Sequence, residues 1–463
     1  MHKICFNGEV LYAEHGQLLA DALMKGEKAM EHPCGGRGVC KKCAVKVNGE
    51  EVLSCQYKVE SDITVEAPDT SEIHSYTGAE ETLLSSKNMC FCLDLGTTTL
   101  ALALVSLDEK KIVKVATATN PQRLYGGDVM SRIAYCSANG VKSLQKMVVS
   151  KINEMISSLF KGFTGKMYVA GNTTMLHILF GADCSGLGVA PYKAEFLHSR
   201  VASGQTLGID NVEEITALPS IHTFAGADIV AGLNYIEKPF HDKYSLLVDL
   251  GTNAEIALFS DEKVVCTSAA AGPCFEGANI SCGMSAVDGA IYSYKNSVYK
   301  TIGGKKAEGL CATGLVDVIA ELLSKGIIDE TGYMEGDFQI APGVTLTCGD
   351  VREYQLAKSA ISSAINVLLD ENKVDNDQLY KVYISGGFSE KLNIENAVKT
   401  GLLPEKIASE CVAVNNSSLL GTVKYACEHN DLTEFIKKSE YVDLSSNEKF
   451  SELFIENMMF SLT

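Results

Sequence analysis

The chain has 463 residues, of which 46% are hydrophobic and 21% charged, an ordinary balance for a globular protein with room for roughly two to four domains. Its formal net charge of −18 argues against nucleic acid as the main partner, because there is no basic surplus to neutralise phosphates. No apolar run approaches about 18 residues and no signal peptide precedes the first turn, so we expect a cytoplasmic protein with no membrane contact, in which most of the 16 cysteines are reduced.

Four cysteines near the N-terminus stand apart from the rest. Cys34, Cys40, Cys43 and Cys55 have the spacing C-x5-C-x2-C-x11-C, with three glycines in the first interval. Thiolates on such a loop can close around iron, while backbone N–H groups freed by glycine point at bridging sulfides. Zinc is the alternative metal, although structural zinc sites usually pair two C-x2-C knuckles and this segment has one. Four buried cysteines without a function are the simplest alternative.

The residues around these cysteines predict a small α+β domain of the β-grasp type. Asn7-Gly8 and Asn48-Gly49 each separate two apolar runs, as hairpin turns do, and residues 18–23 have the apolar spacing of a helix. The pattern resembles a [2Fe–2S] ferredoxin of the kind with five residues in the first cysteine interval. The resemblance implies that the four cysteines hold a [2Fe–2S] cluster.

A polar linker, residues 68–88, precedes the first of two stretches with phosphate-binding character. In the first, CLDLGTTTLAL, an apolar run ends in Asp94 and is followed by Gly96, three threonines and more apolar residues, which predicts two strands joined by a tight turn. Glycine lets the backbone approach an anion, turn amides and hydroxyls donate to phosphate oxygens, and the carboxylate suits Mg²⁺ through water. The hydroxyl residues are Thr97, Thr98 and Thr99.

The same pattern returns about 155 residues later in LLVDLGTNAEI. Here Asp249 ends the apolar run, and Gly251, Thr252 and Asn253 form the turn. One such turn would mean little, because Asp-Leu-Gly is a common way to close a hairpin. Two copies predict two similar half-domains, each of which offers a phosphate hairpin to a shared cleft.

A third element, KVYISGG, is a strand that breaks into Gly386 and Gly387. Paired glycines after a strand allow the close approach of a flat ring such as adenine. In this order the three elements resemble the phosphate 1, phosphate 2 and adenosine elements of the acetate kinase, sugar kinase, Hsp70 and actin superfamily. The resemblance implies an α/β, duplicated RNase H-like ATPase fold that binds ATP and Mg²⁺, and no P-loop motif competes with it.

Three further segments have two interpretations each, and a fourth has one. Asp128 is placed to cap a helix, and the Gly-Asn-Thr-Thr segment before His177 predicts a helix N-terminus suited to an anion, with a plain capped helix and a core histidine as the simpler interpretation. Glu276, in the loop AAAGPCFEGAN, is a candidate catalytic residue that orients water in the cleft, with a surface acid as the alternative. Asp350 opens an Asp-x-x-Glu capping box on a long helix whose apolar face is core.

Several motifs occur in an order that resembles the reductive activators of corrinoid-dependent enzymes, and the resemblance covers nearly the whole chain. Beyond the cysteine module and the LGTNAE hairpin, these motifs are NPQ followed by GGDV, GNTTM, AGPCFEGANI and VREYQLAK. One departure is plain, because longer members place an extra middle domain between the cluster and the first phosphate hairpin, where about twenty residues stand here.

The resemblance implies an ATP-hydrolysing reductive activase. Its [2Fe–2S] cluster would pass one electron to inactive Co(II) of a corrinoid protein and give Co(I), while ATP and Mg²⁺ bound between the Asp94 and Asp249 hairpins close the cleft. An upstream electron donor is implied, and a homodimer is allowed. The predicted boundaries are a ferredoxin-like domain at 1–67, the linker at 68–88, ATPase half-domains at 89–240 and 241–430, and a C-terminal tail packed on the ATPase domain at 431–463.

Other function classes share parts of this pattern. An ATP-driven electron donor to a different low-potential enzyme, like the activators of 2-hydroxyacyl-CoA dehydratases, would share the nucleotide fold, but those activators carry a cluster bound between subunits. A small-molecule kinase with a metal-binding domain would phosphorylate a sugar or an acid and ignore corrinoid protein. A non-catalytic redox scaffold is a third alternative, in which no partner stimulates ATP hydrolysis.

Overall fold

The structure is a computed structural model that describes residues 1–26, 38, 43–66, 74–77, 88–159, 163–239 and 242–460, with the backbone alone at 74–77 and 159. Two of the predicted cluster ligands, Cys34 and Cys40, lie outside the described residues, whereas Cys43 and Cys55 lie within them. No helix among the described residues is both long enough and apolar enough to cross a membrane.

The N-terminal domain has the β-grasp arrangement that its hairpin turns predict. Its strands are ordered β2-β1-β7-β4-β5, and β1 runs parallel to β7 between two hairpins. The first turn has φ values of 45° at Asn7 and 91° at Gly8, the left-handed geometry that an Asn-Gly hairpin favours. Helix α1 closes the core with buried Leu19 and Leu23. The elements are β1 His2–Phe6, β2 Glu9–Ala13, β3 Gln17–Leu18, α1 Leu19–Lys25, β4 Ala44–Val47, β5 Glu50–Leu53, β6 Lys58–Val59 and β7 Ile63–Glu66.

The first half-domain is built on a seven-stranded sheet. Its central order is β11-β10-β9-β12-β14, in which β9, β10 and β11 are antiparallel and β12 and β14 run parallel to β9. Edge strand β8 comes from the predicted linker and pairs with β11, so part of the linker is regular structure. The elements are β8 His74–Thr77, β9 Met89–Leu95, β10 Thr99–Ser106, β11 Lys111–Thr119, α2 Val129–Asn139, α3 Lys142–Leu159, β12 Gly165–Gly171, α4 Thr173–Phe180, β13 Arg200–Ser203, α5 Gly204–Leu207, β14 Val212–Ala217 and α6 Ala227–Tyr235.

The second half-domain repeats this sheet. Its order β17-β16-β15-β23-β24 again has three antiparallel strands followed by two parallel ones. The two half-domains therefore form a duplicated RNase H-like α/β fold, as the resemblance implies. The elements are β15 Tyr244–Leu250, β16 Ala254–Phe259, β17 Val264–Ala269, β18 Ala290–Lys295, β19 Val298–Thr301, β20 Gly309–Leu310, α7 Ala312–Ser324, β21 Phe338–Ala341, β22 Val344–Leu346, α8 Cys348–Glu371, β23 Leu379–Ser385, α9 Ile394–Lys399, β24 Cys411–Ala413, α10 Ser417–Glu428, α11 Thr433–Lys437, β25 Ser439–Tyr441 and α12 Glu448–Glu456.

Helices α6 and α10 cross between the half-domains. Gly421 of α10 lies so close to α6 that a Cβ there would be 1.7 Å from the carbonyl oxygen of Ala231. Asn234 fastens the crossing by donating to the Gly421 carbonyl at 3.0 Å. Leu419 and Val423 pack into the core of the first half-domain, although α10 follows the second sheet along the chain. The two halves therefore share this helix pair.

Helix α8 begins earlier than its predicted cap. Thr347 is the cap, because its hydroxyl accepts from the amide of Asp350 at 3.2 Å and its own amide donates to the Asp350 carboxylate at 2.8 Å. Asp350 is therefore the third helical residue, and the prediction that it opens an Asp-x-x-Glu capping box is wrong. The preceding threonine has the same spacing and takes the role.

Polar residues of the VREYQLAK motif, and Ser359 directly after it, donate hydrogen bonds to backbone carbonyls of the C-terminal segment. Gln355 donates to the carbonyl of Met458 at 2.7 Å, and the Lys358 ammonium donates to that of Met459 at 2.5 Å. Lys358 is only 2% exposed and lies 4.8 Å from the ring of Phe460. The motif thus fastens the end of the chain to α8, where α12 also packs.

Candidate functional site

The two predicted phosphate hairpins meet across the cleft between the half-domains. The hydroxyl oxygens of Thr98, after β9, and Thr252, after β15, are 3.2 Å apart. The carboxylate of Glu276 accepts from Thr98 at 2.5 Å and from Thr252 at 2.7 Å. Three residues from three separate motifs therefore converge on one point, and Glu276 lies inside the cleft rather than on a surface loop.

Asp94 is the penultimate residue of β9, and its carboxylate is held from across the cleft. Its two oxygens accept from the amide of Asn416 at 2.6 Å and from the hydroxyl of Ser418 at 2.8 Å, both at the start of α10. Burial raises the pKa of Asp94, and these two hydrogen bonds offset part of that effect. Sequence reasoning missed both donors, because they lie 322 and 324 residues further along the chain.

Two more acidic residues, Asp228 and Glu255, extend the site beyond the predicted set. Burial is the main cause that raises the pKa of each, and the charges of neighbouring carboxylates raise it further. Burial and the charges of Asp94 and Asp228 raise the pKa of Asp249 to about 7. Glu255 could have been found as the last residue of the LGTNAE motif, whereas Asp228 carries no local signal. Carboxylates that repel one another in this way are stabilised by a cation.

A metal ion held by protein side chains alone does not fit this site. Within the described part of the chain, no group of three or more His, Cys, Asp or Glu side chains is arranged to hold one. Mg²⁺ fits the site better, because it keeps several waters and is bound through one or two carboxylates together with phosphate oxygens.

The paired glycines after β23 have different surroundings. Gly386 has a φ of 110°, and a Cβ there would lie 2.2 Å from the carbonyl oxygen of Leu250, so glycine is required for β23 to turn against the second hairpin. A Cβ at Gly387 would meet no atom within 4 Å. Of the two, Gly387 has the free space that the adenosine prediction needs.

The NPQ and GGDV motifs support the turn of the first hairpin. The side-chain amide of Asn120 donates to the carbonyl of Gly96 at 2.9 Å. The guanidinium of Arg132, on α2, donates to the carbonyl of Thr97 at 2.6 Å and to that of Gly126 at 3.2 Å. Sequence reasoning singled out this segment without a role for Asn120 or Arg132, because the contacts join residues 24 and 35 positions apart.

The GNTTM segment also touches the first hairpin. Asn172 caps α4 and donates to the hydroxyl of Thr97 at 2.9 Å. His177 is fully buried and stacks on Phe196 at 4.3 Å, so it is a core histidine as predicted. Asp128 caps α2 as predicted, by accepting from the amide of Ser131 at 2.8 Å.

Two predicted cluster cysteines come together in the N-terminal domain. Cys43 and Cys55 are buried, with sulfur atoms 3.3 Å apart, which is too far for a disulfide. Burial raises the pKa of Cys43. Two thiolates on one tetrahedral centre with bonds of about 2.3 Å lie roughly 3.8 Å apart, so the pair fits neighbouring ligands of one metal ion. Gly38 has a φ of 76°, and a Cβ there would lie 3.1 Å from the side chain of Gln56, the residue after Cys55.

A cleft of about 580 Å³ lies apart from the hairpins, between the N-terminal domain and the start of the first half-domain. His15 and Lys25 line one side, and Tyr125 and Tyr135 line the other. The two tyrosine rings are 4.2 Å apart. The segment that supports the first hairpin therefore also faces the N-terminal domain.

These features define a class of protein, a ferredoxin-type β-grasp domain fused to an ASKHA-type fold with paired hairpins. Three family models match consecutive parts of the chain. Residues 6–69 match the 2Fe-2S iron-sulfur cluster binding domain, 89–239 the RACo middle region, and 243–463 the C-terminal domain of RACo, the ASKHA domain. The chain therefore carries matches to the 2Fe-2S domain and to both RACo regions, in this order along the sequence.

Named relatives match this chain over three quarters or more of their own length. The corrinoid activation enzyme RamQ of Eubacterium limosum is 27% identical over 556 residues, which cover 92% of this chain and 93% of RamQ. The "[Co(II) methylated amine-specific corrinoid protein] reductase" of Methanosarcina barkeri is 26% identical and covers 78% of this chain and 75% of its own. A solved structure named "Reductive activator for corrinoid,iron-sulfur protein" has a TM-score of 0.75 at 24% identity over 99% of this chain and 98% of its own, which shows the shared fold.

The match to the RACo middle region includes the first hairpin, so it does not test the prediction that longer relatives place an extra domain before that hairpin. Residues 89–239, which contain the Asp94 hairpin, match the RACo middle region. The alignment with RamQ spans 556 positions against 463 residues here, so at least 93 of its positions have no counterpart in this chain.

Proposed function

We propose that this chain is an ATP-hydrolysing reductive activase for a corrinoid protein. One electron passes from the iron–sulfur centre to inactive Co(II) of the partner, which becomes Co(I), and an upstream donor returns an electron to the centre. The observation that carries the proposal is the presence in one chain of a matched iron–sulfur domain and of two phosphate-type hairpins joined by Glu276. The names of the relatives supply the partner class.

The cysteine loop is the proposed electron-transfer site. When bound, a [2Fe–2S] cluster supplies a one-electron donor. Cys34, Cys40, Cys43 and Cys55 would hold it, and the close approach of the last two supports this assignment. Arg37, Lys41 and Lys42 add positive charge to the same loop of the sequence, where they would favour an acidic partner surface.

The hairpin cleft is the proposed ATP site. The turn amides and hydroxyls would bind the phosphates, Asp94 and Asp249 would meet Mg²⁺ through water, and Glu276 would orient the attacking water. Gly387 leaves room for the adenosine, beside the turn that Gly386 allows. The phosphate-binding residues are Gly96, Thr97, Thr98, Thr99, Gly251, Thr252 and Asn253.

ATP drives the electron uphill only if the two nucleotide states bind the partner differently. A conformational change can shift an equilibrium by no more than the difference in binding free energy between the states. Glu276 and the Asn416–Asp94 bond connect the halves on either side of the cleft. Hydrolysis at this junction would change how the halves close, and with them the surface that meets the corrinoid protein.

The remaining assignments are predictions of the same scheme. An upstream electron donor is required for more than one turnover, and a homodimer is compatible with it. Sixteen cysteines fit a reducing cytoplasm as the site of action.

The test uses the anaerobically reconstituted full chain with a methylated-amine-specific corrinoid protein prepared as Co(II). We expect visible absorbance with about two iron atoms per chain, and Co(I) formation that requires both a reductant and ATP. The variant Cys40→Ser should lose Co(I) formation and keep ATP binding. Equal loss of both activities, or full Co(I) formation without nucleotide, would contradict the two-domain scheme.

A small-molecule kinase with a metal-binding domain is the alternative function that shares the hairpin cleft. It would turn over ATP with a sugar or acid and show no response to corrinoid protein. The iron–sulfur family match supports the activase over this alternative.

A further inference from the structure

Side chains support the turn of the first hairpin from behind, whereas among the described residues no side chain donates to the corresponding carbonyls of the second hairpin. Asn120 and Arg132 donate side-chain hydrogen bonds to the carbonyls of Gly96 and Thr97. In the second hairpin the amide of Gly251 is instead satisfied inside its own turn, by the carbonyl of Asn253 at 3.1 Å. The two phosphate turns are therefore built differently, which the near-identical motifs do not reveal.

The support sets the direction of two amides. In a trans peptide the C=O and the next residue's N–H point in opposite directions. The carbonyls of Gly96 and Thr97 point towards Asn120 and Arg132, so the amides of Thr97 and Thr98 point away from these residues and towards the cleft. Neither amide donates a hydrogen bond to another of the described residues. Two adjacent N–H groups that point in the same direction form a binding site for an anionic oxygen.

Arg132 also places a positive charge behind this turn. The residue is 0% exposed, and its other donors reach Gln122 at 3.3 Å and the sulfur of Met175 at 3.1 Å. Within the part of the chain that the structure describes, no carboxylate lies close enough to form an ion pair with it. Burial, followed by the charge of Arg123, lowers the pKa of Arg132 to about 9, and the more distant charges of Glu276 and Asp128 offset part of this effect. A buried cation without a paired carboxylate is costly, and a bound anion nearby would offset that cost.

We propose that Arg132 and Asn120 are positioning residues of the ATP site. They hold the Gly96 and Thr97 carbonyls away from the cleft. The amides of Thr97 and Thr98 are thereby oriented, before any ligand binds, to donate two hydrogen bonds to a phosphate oxygen. The guanidinium charge behind the turn strengthens the attraction for that oxygen without touching it. This inference rests on the proposed ATP binding and assigns a purpose to the NPQ and GGDV motifs.

The main test is the variant Arg132→Met in the reconstituted full chain, with adenosine, Mg·ADP and Mg·ATP titrated by calorimetry. The variant keeps the length of the side chain and loses its charge and its donors. We expect the affinities for ADP and ATP to fall about 10- to 100-fold, because the amides of Thr97 and Thr98 would no longer be held in position to hydrogen-bond to the charged phosphate, and the affinity for adenosine to stay within about twofold. Arg132→Lys, which keeps the charge, should recover part of the loss.

Arg200→Met is the matched control, since Arg200 lies in the same half-domain over the ring of Phe196 at 4.7 Å and away from the hairpins. It should leave all three affinities unchanged. If Arg132→Met does not fold, Asn120→Ser gives the same test, because serine keeps the cap on Gln122 and loses only the donor to Gly96. We expect Asn120→Ser to weaken ADP and ATP binding and to spare adenosine.

A parallel loss of adenosine and ATP binding, or an ATP affinity within about twofold of wild type in both variants, would overturn the inference. Its failure is distinct from that of the proposed function. If wild-type protein binds no ATP, the proposed function has failed. If wild type binds ATP and the variants bind it equally well, only the positioning role has failed.

Discussion

Glu276 joins the two hairpins, because its carboxylate accepts a hydrogen bond from a threonine of each. We expect Glu276→Gln to slow partner-stimulated ATP hydrolysis by about 100-fold or more, since a neutral amide orients and activates water poorly. The affinity for ATP should not fall, because a negative charge beside the phosphates has been removed. Steady-state hydrolysis and calorimetry on the same preparation measure the two quantities.

The control for this change is Glu353→Gln, which alters a nearby carboxylate that accepts from Asn279 at 3.2 Å. It should leave the turnover number within about twofold of wild type, as is usual for a change outside the reacting geometry. If Glu276→Gln hydrolyses ATP as fast as this control, water orientation belongs to another residue, and Asp228 is the next candidate.

The candidate site contains two kinds of residue. Some can be identified from the local sequence pattern, and others reach the site only through the tertiary fold. Asp94 and Asp249 each follow an apolar run and precede a glycine, so a strand and a turn could be predicted around them. Asn416, Ser418 and Arg132 reach the same place from distant segments, and nothing next to them in the sequence indicates it. Tertiary contacts of this kind cannot be found from local periodicity.

At the scale of elements, the crossing of α6 and α10 is the closest helix contact that the site relies on. Gly421→Ala would place a Cβ 1.7 Å from a backbone oxygen of α6, so the helices must separate. We expect the free energy of unfolding to fall by about 1–3 kcal/mol, the usual cost of overpacking. We also expect weaker ATP binding, because Asn416 and Ser418 at the start of α10 position Asp94.

Gly349→Ala is the matched control for this variant, since both glycines lie in helices. The nearest atom to a Cβ at Gly349 is the hydroxyl of Thr347 at 3.5 Å, an ordinary contact. Alanine should be neutral there or stabilise the fold by up to about 1 kcal/mol. Denaturant unfolding of both variants gives the comparison, and equal midpoints would show that α6 and α10 can separate without cost.

The start of α8 shows why element boundaries were harder to predict than elements. Its apolar face and its length were evident from the spacing of Val351, Tyr354 and Ile361, all of which are buried. Two overlapping capping boxes were available three residues apart, with Thr347 or Asp350 as the cap. Both satisfy the same spacing rule, and the position of the preceding strand β22 selects Thr347.

Lys358 on this helix provides a test that depends on pH. Burial lowers its pKa from 10.5 to about 8. Between these two values the unfolded chain binds a proton that the folded chain does not, so the free energy of unfolding due to this residue rises with pH across that window and is constant below it. Lys358→Met removes the titrating group. Relative to wild type, the variant should therefore lose roughly 3 kcal/mol of stability between pH 8 and pH 10.5.

Denaturant unfolding of both proteins at several pH values measures this difference. Titration of buried cysteines and tyrosines affects both proteins equally and cancels in the comparison. A difference in unfolding free energy that does not change with pH would mean that Lys358 is protonated in the folded protein throughout the window.

For the whole molecule, the order of the domains could be read from the sequence, but their contact could not. The cysteine spacing and the two hairpins are local patterns, and each predicted its own domain. The cleft that places Tyr125 and Tyr135 opposite the N-terminal domain joins segments about a hundred residues apart. Neither tyrosine carries a pattern that predicts the contact, since an aromatic residue near a helix start is more often core.

Segment 120–135 connects the proposed ATP site to the N-terminal domain. Asn120 and Arg132 of this segment contact the first phosphate turn. Tyr125 and Tyr135 of the same segment line the cleft on the side opposite His15 and Lys25. A phosphate that draws the turn into the cleft would therefore pull on both residues and shift the tyrosines. This is the kind of contiguous contact through which two sites can bias one another.

We expect Mg·ATP to change amide hydrogen exchange at residues 14–25, although these residues do not contact the hairpins. Residues 44–53 of the same domain, which do not line the cleft, are the internal control and should exchange equally with and without nucleotide. Arg132→Met at saturating ATP should abolish the change at 14–25, because the nucleotide is bound but its link to the tyrosines is cut. If wild-type exchange at 14–25 is the same in both states, the nucleotide acts on the partner through the two half-domains alone, and the iron–sulfur domain follows passively.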